Sequence, residues 1–103
     1  MPEKRAVPET IKIMGRTWKV NFIDHNSGMT GGSCLNLKQE IDVSDNLCPQ
    51  QQKATLMHEV FEGINGDLNL DLDHTQITIL SELINQVVIS NPLEIWQTHT
   101  KKV

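Results

Sequence analysis

The residues best suited to chemistry lie together in the segment Thr55-Leu56-Met57-His58-Glu59-Val60-Phe61-Glu62-Gly63-Ile64-Asn65. If this segment is helical, His58 and Glu62 are four residues apart and project from neighbouring turns of one face, close enough to reach one ion. Glu59 is turned about a quarter turn further round, beside the pair but not squarely on it. A zinc ion lowers the pKa of a bound water to about 7, and a neighbouring carboxylate can take the proton as that water attacks a carbonyl. His58 and Glu62 are therefore candidate ligands for Zn2+, and Glu59 is the candidate general base.

A catalytic zinc takes three protein ligands and keeps one position open. His74 is the candidate for the third. It stands at the start of the next predicted helix, after a short Gly- and Asn-containing connection, on the polar border of that helix's apolar stripe. Glu82, Asp71 and Asp73 are the substitutes, although Asp73 also suits a helix cap. The plain reading of His74 is a residue near a helix start, although a protonated histidine is disfavoured there by the helix dipole. His25 and His99 fall in a loop and in the tail, where a solvated surface histidine is the plain reading and an oxyanion contact the functional one. Thr78, Ser81 and Asn85 are candidate outer partners of the ligands.

The elements that must position these groups follow from periodicity. Residues 10–43 alternate apolar and polar with the period of two that turns one face of a strand to the core. Ile11 and Ile13 share a face, Gly15-Arg16 marks a turn, and Trp18, Val20 and Phe22 repeat the pattern, which predicts a hairpin over 10–23 with Trp18 in the core. Asp24 to Gly32 is dense in turn-tolerant residues and reads as a mobile surface loop. Leu35 with Leu37 and Ile41 with Val43 form two further runs, for three or four antiparallel strands in all.

From residue 49 the period changes. Pro49 suits the first helical position, and Met57, Val60, Phe61 and Ile64 share one apolar arc, predicting a buried helix over about 49–65. Asp73 and Gln76 form a capping box for a second helix, whose stripe of Ile77, Leu80, Leu83, Ile84, Val87 and Val88 runs to the stop at Asn91-Pro92. The expected packing sets this stripe against the first helix, with Leu93, Ile95 and Trp96 folding back. The fold class expected is α+β: a short sheet followed by two packed helices, one domain over residues 1–103 with peripheral ends.

Composition bounds the function classes. With 38% hydrophobic and 21% charged residues the chain is apolar enough to fold. Thirteen acidic against nine basic side chains give a net charge of −4, with no basic cluster outside the two ends, which argues against nucleic acid as a partner. No stretch approaches the roughly 20 apolar residues of a membrane helix, and the polar start Met1-Pro2-Glu3-Lys4-Arg5 has no apolar run behind it, so a cytoplasmic protein is expected. Cys34 and Cys48 fit neither a metal-binding pair nor a disulfide framework and read as two reduced thiols.

The Ile-x-Ile-x-Gly hairpin from Ile11 to Gly15, then Gln39-Glu40-Ile41-Asp42-Val43, Thr55-Leu56-Met57-His58-Glu59 and Asn91-Pro92 together resemble the small phage-encoded zinc-peptidase-like proteins, relatives of the ImmA/IrrE type of zincin-like peptidase. The resemblance covers most of the chain. It implies a short antiparallel sheet, an active-site helix and a second helix, with a peptide or protein substrate and, for a phage-encoded chain, the host cytoplasm. The usual helix motif is H-E-x-x-H with a carboxylate downstream as third ligand. Here Glu62 holds the fifth position, and His74 lies about where the carboxylate would fall. Two imidazoles and one carboxylate survive the exchange, and the charge of a zinc-loaded site stays at +1. The expected activity is zinc-dependent peptide hydrolysis, with the strand near residues 39–43 as an edge that aligns an extended peptide. The rival is a non-enzymatic phage accessory or binding protein in which metal or fold serves stability. The oligomeric state is left open.

Overall fold

A computed structural model of the chain describes residues 4–24, 26, 28, 31–92 and 95. His25, Leu93, Trp96 and His99, singled out above, lie outside the described residues. The elements in chain order are strands β1 (Thr10–Ile13), β2 (Arg16–Ile23), β3 (Gly32–Leu35) and β4 (Glu40–Ser44), then helices α1 (Pro49–Leu68) and α2 (His74–Ile89). The class is α+β, as the periodicity predicts. Among the described residues no helix is long and apolar enough to cross a membrane.

β1 and β2 form the expected hairpin, with Ile11 opposite Trp18 and Ile13 opposite Arg16. Its two-residue turn, Met14-Gly15, has φ of 52° and 81°, the positive values that match the twist of the flanking strands. The sheet is mixed rather than antiparallel, in the order β1-β2-β4-β3. After β2 the chain crosses to the far edge as β3 and returns through a tight turn as β4, which therefore runs parallel to β2. Alternation reports which face a side chain takes but not which strand lies alongside, so the parallel pairing left no local trace.

The order also corrects the expected edge strand. Ile41 and Val43 are fully buried, and their strand takes the interior place between β2 and β3. The edge next to the helices is β3, with its sequence Gly32-Ser33-Cys34-Leu35. Leu35 and Leu37 are not core residues: Leu35 is exposed, and Leu37, in the β3–β4 turn, is wholly so.

One face of the sheet presents Ile13, Trp18, Val20, Ile41 and Val43 to a core closed by Val7 and Leu56. The innermost line of α1 is Gln52, Leu56, Glu59 and Gly63, whereas Met57, Val60, Phe61 and Ile64 are only half-buried. The helix is thus rotated from the expected arc, which puts two polar side chains, Gln52 and Glu59, on its inner line. The Gln52 amide is fully buried and bonded on every side: its oxygen accepts from Ala6 N at 2.7 Å, and its nitrogen donates to Lys4 O at 2.8 Å and Leu47 O at 2.9 Å. Gly63 rests on Trp18, where an added Cβ would meet the indole at 3.2 Å.

α2 departs most from expectation. Ile77 and Ser81 are buried against the rest of the protein, but Leu80, Leu83, Ile84, Val87 and Val88 of the predicted stripe are exposed. The apolar arc of α2 spans more than half of the helical wheel, and α1 covers only the Ile77–Ser81 edge of it.

Candidate metal centre

α1 and α2 bring His58, Glu62 and His74 together. Glu62 Oε2 lies 3.4 Å from His58 Nε2 and 3.4 Å from His74 Nδ1. The two imidazoles meet edge to face, with centroids 5.0 Å apart at 64°. One ligand atom from each residue lies within 4.8 Å of the others, the only such group of three His, Cys, Asp or Glu side chains among the described residues.

The two Glu62 contacts are compatible with weak hydrogen bonds and with a shared ion. Good N–H···O bonds run at about 2.7–3.2 Å, so both are long for hydrogen bonds. Ligands held about 2.0–2.1 Å from a tetrahedral ion stand roughly 3.3–3.4 Å from one another. Two neutral imidazoles and one carboxylate are also the donor types that suit zinc. His74 is 76% exposed at its side chain, Glu62 30% and His58 19%. The cluster is therefore rooted in α1 and open to solvent on the His74 side.

His74 is positioned by the connection between the helices. α1 ends at Asn69, a left-handed residue with φ of 53°. Leu72 N donates to Asn65 Oδ1 at 2.9 Å, and Asn65 Nδ2 donates to Leu72 O at 3.2 Å. This reciprocal pair holds the loop against the last turns of α1. Asp73 then caps α2 as the sequence predicts: its Oδ1 accepts from Gln76 N at 2.8 Å, while Asp73 N donates to Gln76 Oε1 at 2.9 Å. His74 follows as the first helical residue, facing Glu62. Asn65 passed unnoticed in the sequence because an asparagine late in a helix carries no pattern of its own; its role depends on where the loop passes.

Glu59 lies on the buried side of the same helix. Only 8% of it is exposed, and no donor among the described residues reaches its carboxyl group. Burial, and then the negative charge of Glu62, push its pKa up to about 7, against a smaller lowering by His74. A carboxyl group that exchanges its proton near neutrality is what a general base needs. Its place depends on Gly32 of β3, where an added Cβ would meet Thr55 Cγ2 at 2.6 Å and Glu59 Cγ at 3.2 Å. A side chain there would push α1 off the edge strand.

Two clefts flank the cluster. Glu59 and Glu62 line a polar one of about 360 Å³ with Cys34, Asn36, Asn65 and Gly66. The other, about 210 Å³, lies between the helices and is lined by Ala54, Thr55, His58, Thr78, Ser81 and Glu82. The substitute ligands are thereby placed. Glu82 lines this second cleft outside the ligand group, Asp73 serves as the cap, and Asp71 is exposed in the loop at φ of 63°. The Ser81 hydroxyl donates to Thr78 O at 3.1 Å, and neither residue nor Asn85 hydrogen-bonds to a ligand side chain.

Cys34 and Cys48 are unpaired. Burial, with the charges of Glu59, Glu62 and Asp67, pushes the Cys34 thiol up to about 11, so in the metal-free chain it stays protonated near neutral pH. Asn36 ties the β3–β4 turn to α1 by donating to Gly63 O and Asp67 Oδ1, both at 2.9 Å. Compared with protein-family models, curated proteins and solved structures, the chain matches none.

Proposed function

We propose that this protein is a zinc-dependent peptidase in which His58, Glu62 and His74 hold the ion and Glu59 is the general base. The observation that carries the reading is the convergence of His58 Nε2, Glu62 Oε2 and His74 Nδ1 beside a buried carboxyl group with a pKa near 7. Zinc bound there supplies an acidified water and a Lewis acid for a carbonyl oxygen. Glu59 takes up a proton at its carboxylate and returns it to the departing amine, a cycle open to a group poised near the working pH. The ligand carboxylate of Glu62 keeps Glu59 from ionising too readily, and burial keeps water from levelling it.

Peptide is the substrate class this architecture favours. β3 is an edge strand beside Glu59, so its free backbone groups can pair with an extended chain and lay it along α1. The net charge of −4 disfavours nucleic acid. The likeness to small phage-encoded zincin-like proteins points the same way, and the two unpaired thiols suit a reducing cytoplasm.

The test is metal analysis of protein purified without added metal, followed by digestion of a mixed peptide library by wild type and Glu59→Gln. One zinc per chain with cleavage that disappears in Glu59→Gln is expected. Zinc that stabilises the fold without any cleavage, in either protein, would reduce the ion to a structural staple.

A further inference from the structure

We propose that the uncovered face of α2 is the seam of a two-fold symmetric dimer, occupied by the same face of a second copy of this chain. The proposal stands independently of the metal. Ile79, Leu80, Leu83, Ile84 and Val87 are 40–55% exposed, on an arc centred roughly a third of a turn from the buried Ile77–Ser81 edge. Surface aliphatics scattered singly are ordinary, but five adjoining on one helix are a patch that calls for a partner.

The spacing of these residues identifies the partner. An antiparallel copy crossing at the midpoint between Leu83 and Ile84 sets Leu80 against Val87, while Leu83 and Ile84, on the two flanks of the stripe, each meet their own counterpart and Ile79 lies at the rim. An aliphatic side chain therefore meets an aliphatic side chain across the whole seam. A two-fold interface requires this self-complementarity.

Charge and area agree. Between His74 and Pro92 the only ionisable side chain is Glu82, which lies outside the arc. A charged partner finds nothing to recognise there, and two copies of a chain with net charge −4 bring no like charges into the seam. An aliphatic side chain presents somewhat less than the roughly 150–250 Å² of an aromatic one. With about half of each uncovered, the five leave on the order of 400 Å² per copy and about 800 Å² in a pair, the size of a weak, reversible interface.

Sedimentation equilibrium of the full chain over a roughly hundredfold range of concentration tests the proposal. The expected mass is twice the 11.7 kDa of one chain at the upper end, falling toward one chain on dilution. Leu83→Glu, at an exposed position, should keep the wild-type circular dichroism and sediment as a monomer throughout. If Leu83→Glu does not fold, Ile84→Ser takes its place with the same expectation. A wild type that stays at one chain mass overturns the proposal, as it would if residues 93–103 or another protein cover the face. A folded seam variant that dimerises as well as wild type overturns it equally.

Discussion

His74 Nδ1 lies 3.4 Å from Glu62 Oε2, although the two residues are twelve apart in the chain and on different helices. If both reach one zinc, Glu62→His and His74→Glu each change the ligand set and move the site's charge in opposite directions. The single variants should shift zinc affinity in opposite senses from charge alone, and the double variant should return part of the way. A coupling on the order of 1 kcal/mol in a double-mutant cycle is expected for groups that share an ion. Strict additivity, with wild-type affinity in His74→Glu, would remove His74 from the site.

Asn65 should act on the metal without touching it. Asn65→Ala deletes both of its bonds to Leu72, at about 1 kcal/mol each, so thermal unfolding of the metal-free chain should register a loss of roughly 1–2 kcal/mol. The loop that presents His74 then gains freedom, and zinc should bind about tenfold more weakly, the lower end of what supporting partners contribute. Unchanged zinc affinity in a destabilised variant would show that Asn65 serves the fold alone.

The Glu59 carboxyl group predicts a pH dependence in the metal-free protein. Its pKa is raised from 4.5 to about 7, so below about pH 4.5 the folded and unfolded chains both hold this proton. Between about 4.5 and 7 the unfolded chain has released it and the folded chain has not. Stability therefore declines as pH rises through that window and levels off above it. The decline should be on the order of 2–3 kcal/mol. Glu59→Gln removes it, so denaturant melts of the two proteins should coincide near pH 4 and separate at pH 8 with the variant the more stable. Parallel curves from pH 4 to 8 would place Glu59 in water rather than in the helix–strand contact.

Much of this arrangement was legible in the sequence because it is local. The period of two exposed the hairpin that buries Trp18, the change of period at Pro49 located α1, and Asp73 with Gln76 announced the start of α2. The four-residue spacing of His58 and Glu62 placed both on one face, and α2 beginning at His74 brought the second imidazole alongside. What escaped is set by partners distant in sequence. The parallel pairing of β2 with β4 depends on where the chain crosses after Ile23, so β3 rather than residues 39–43 became the edge beside the site. The burial of Glu59 depends on a glycine in β3 that lets α1 approach. The apolar stripe of α2 revealed that a face is apolar but not what covers it, and most of it stays uncovered within the chain.

The central claim is that His58, Glu62 and His74 form one zinc site. Calorimetric titration of the metal-free chain with zinc tests it most directly, run beside His58→Ala. Wild type should bind one zinc per chain and rise in melting temperature with the metal, while His58→Ala should lose the binding. A wild type that gives no binding heat and no thermal shift, or a His58→Ala that binds as tightly as wild type, would contradict the account.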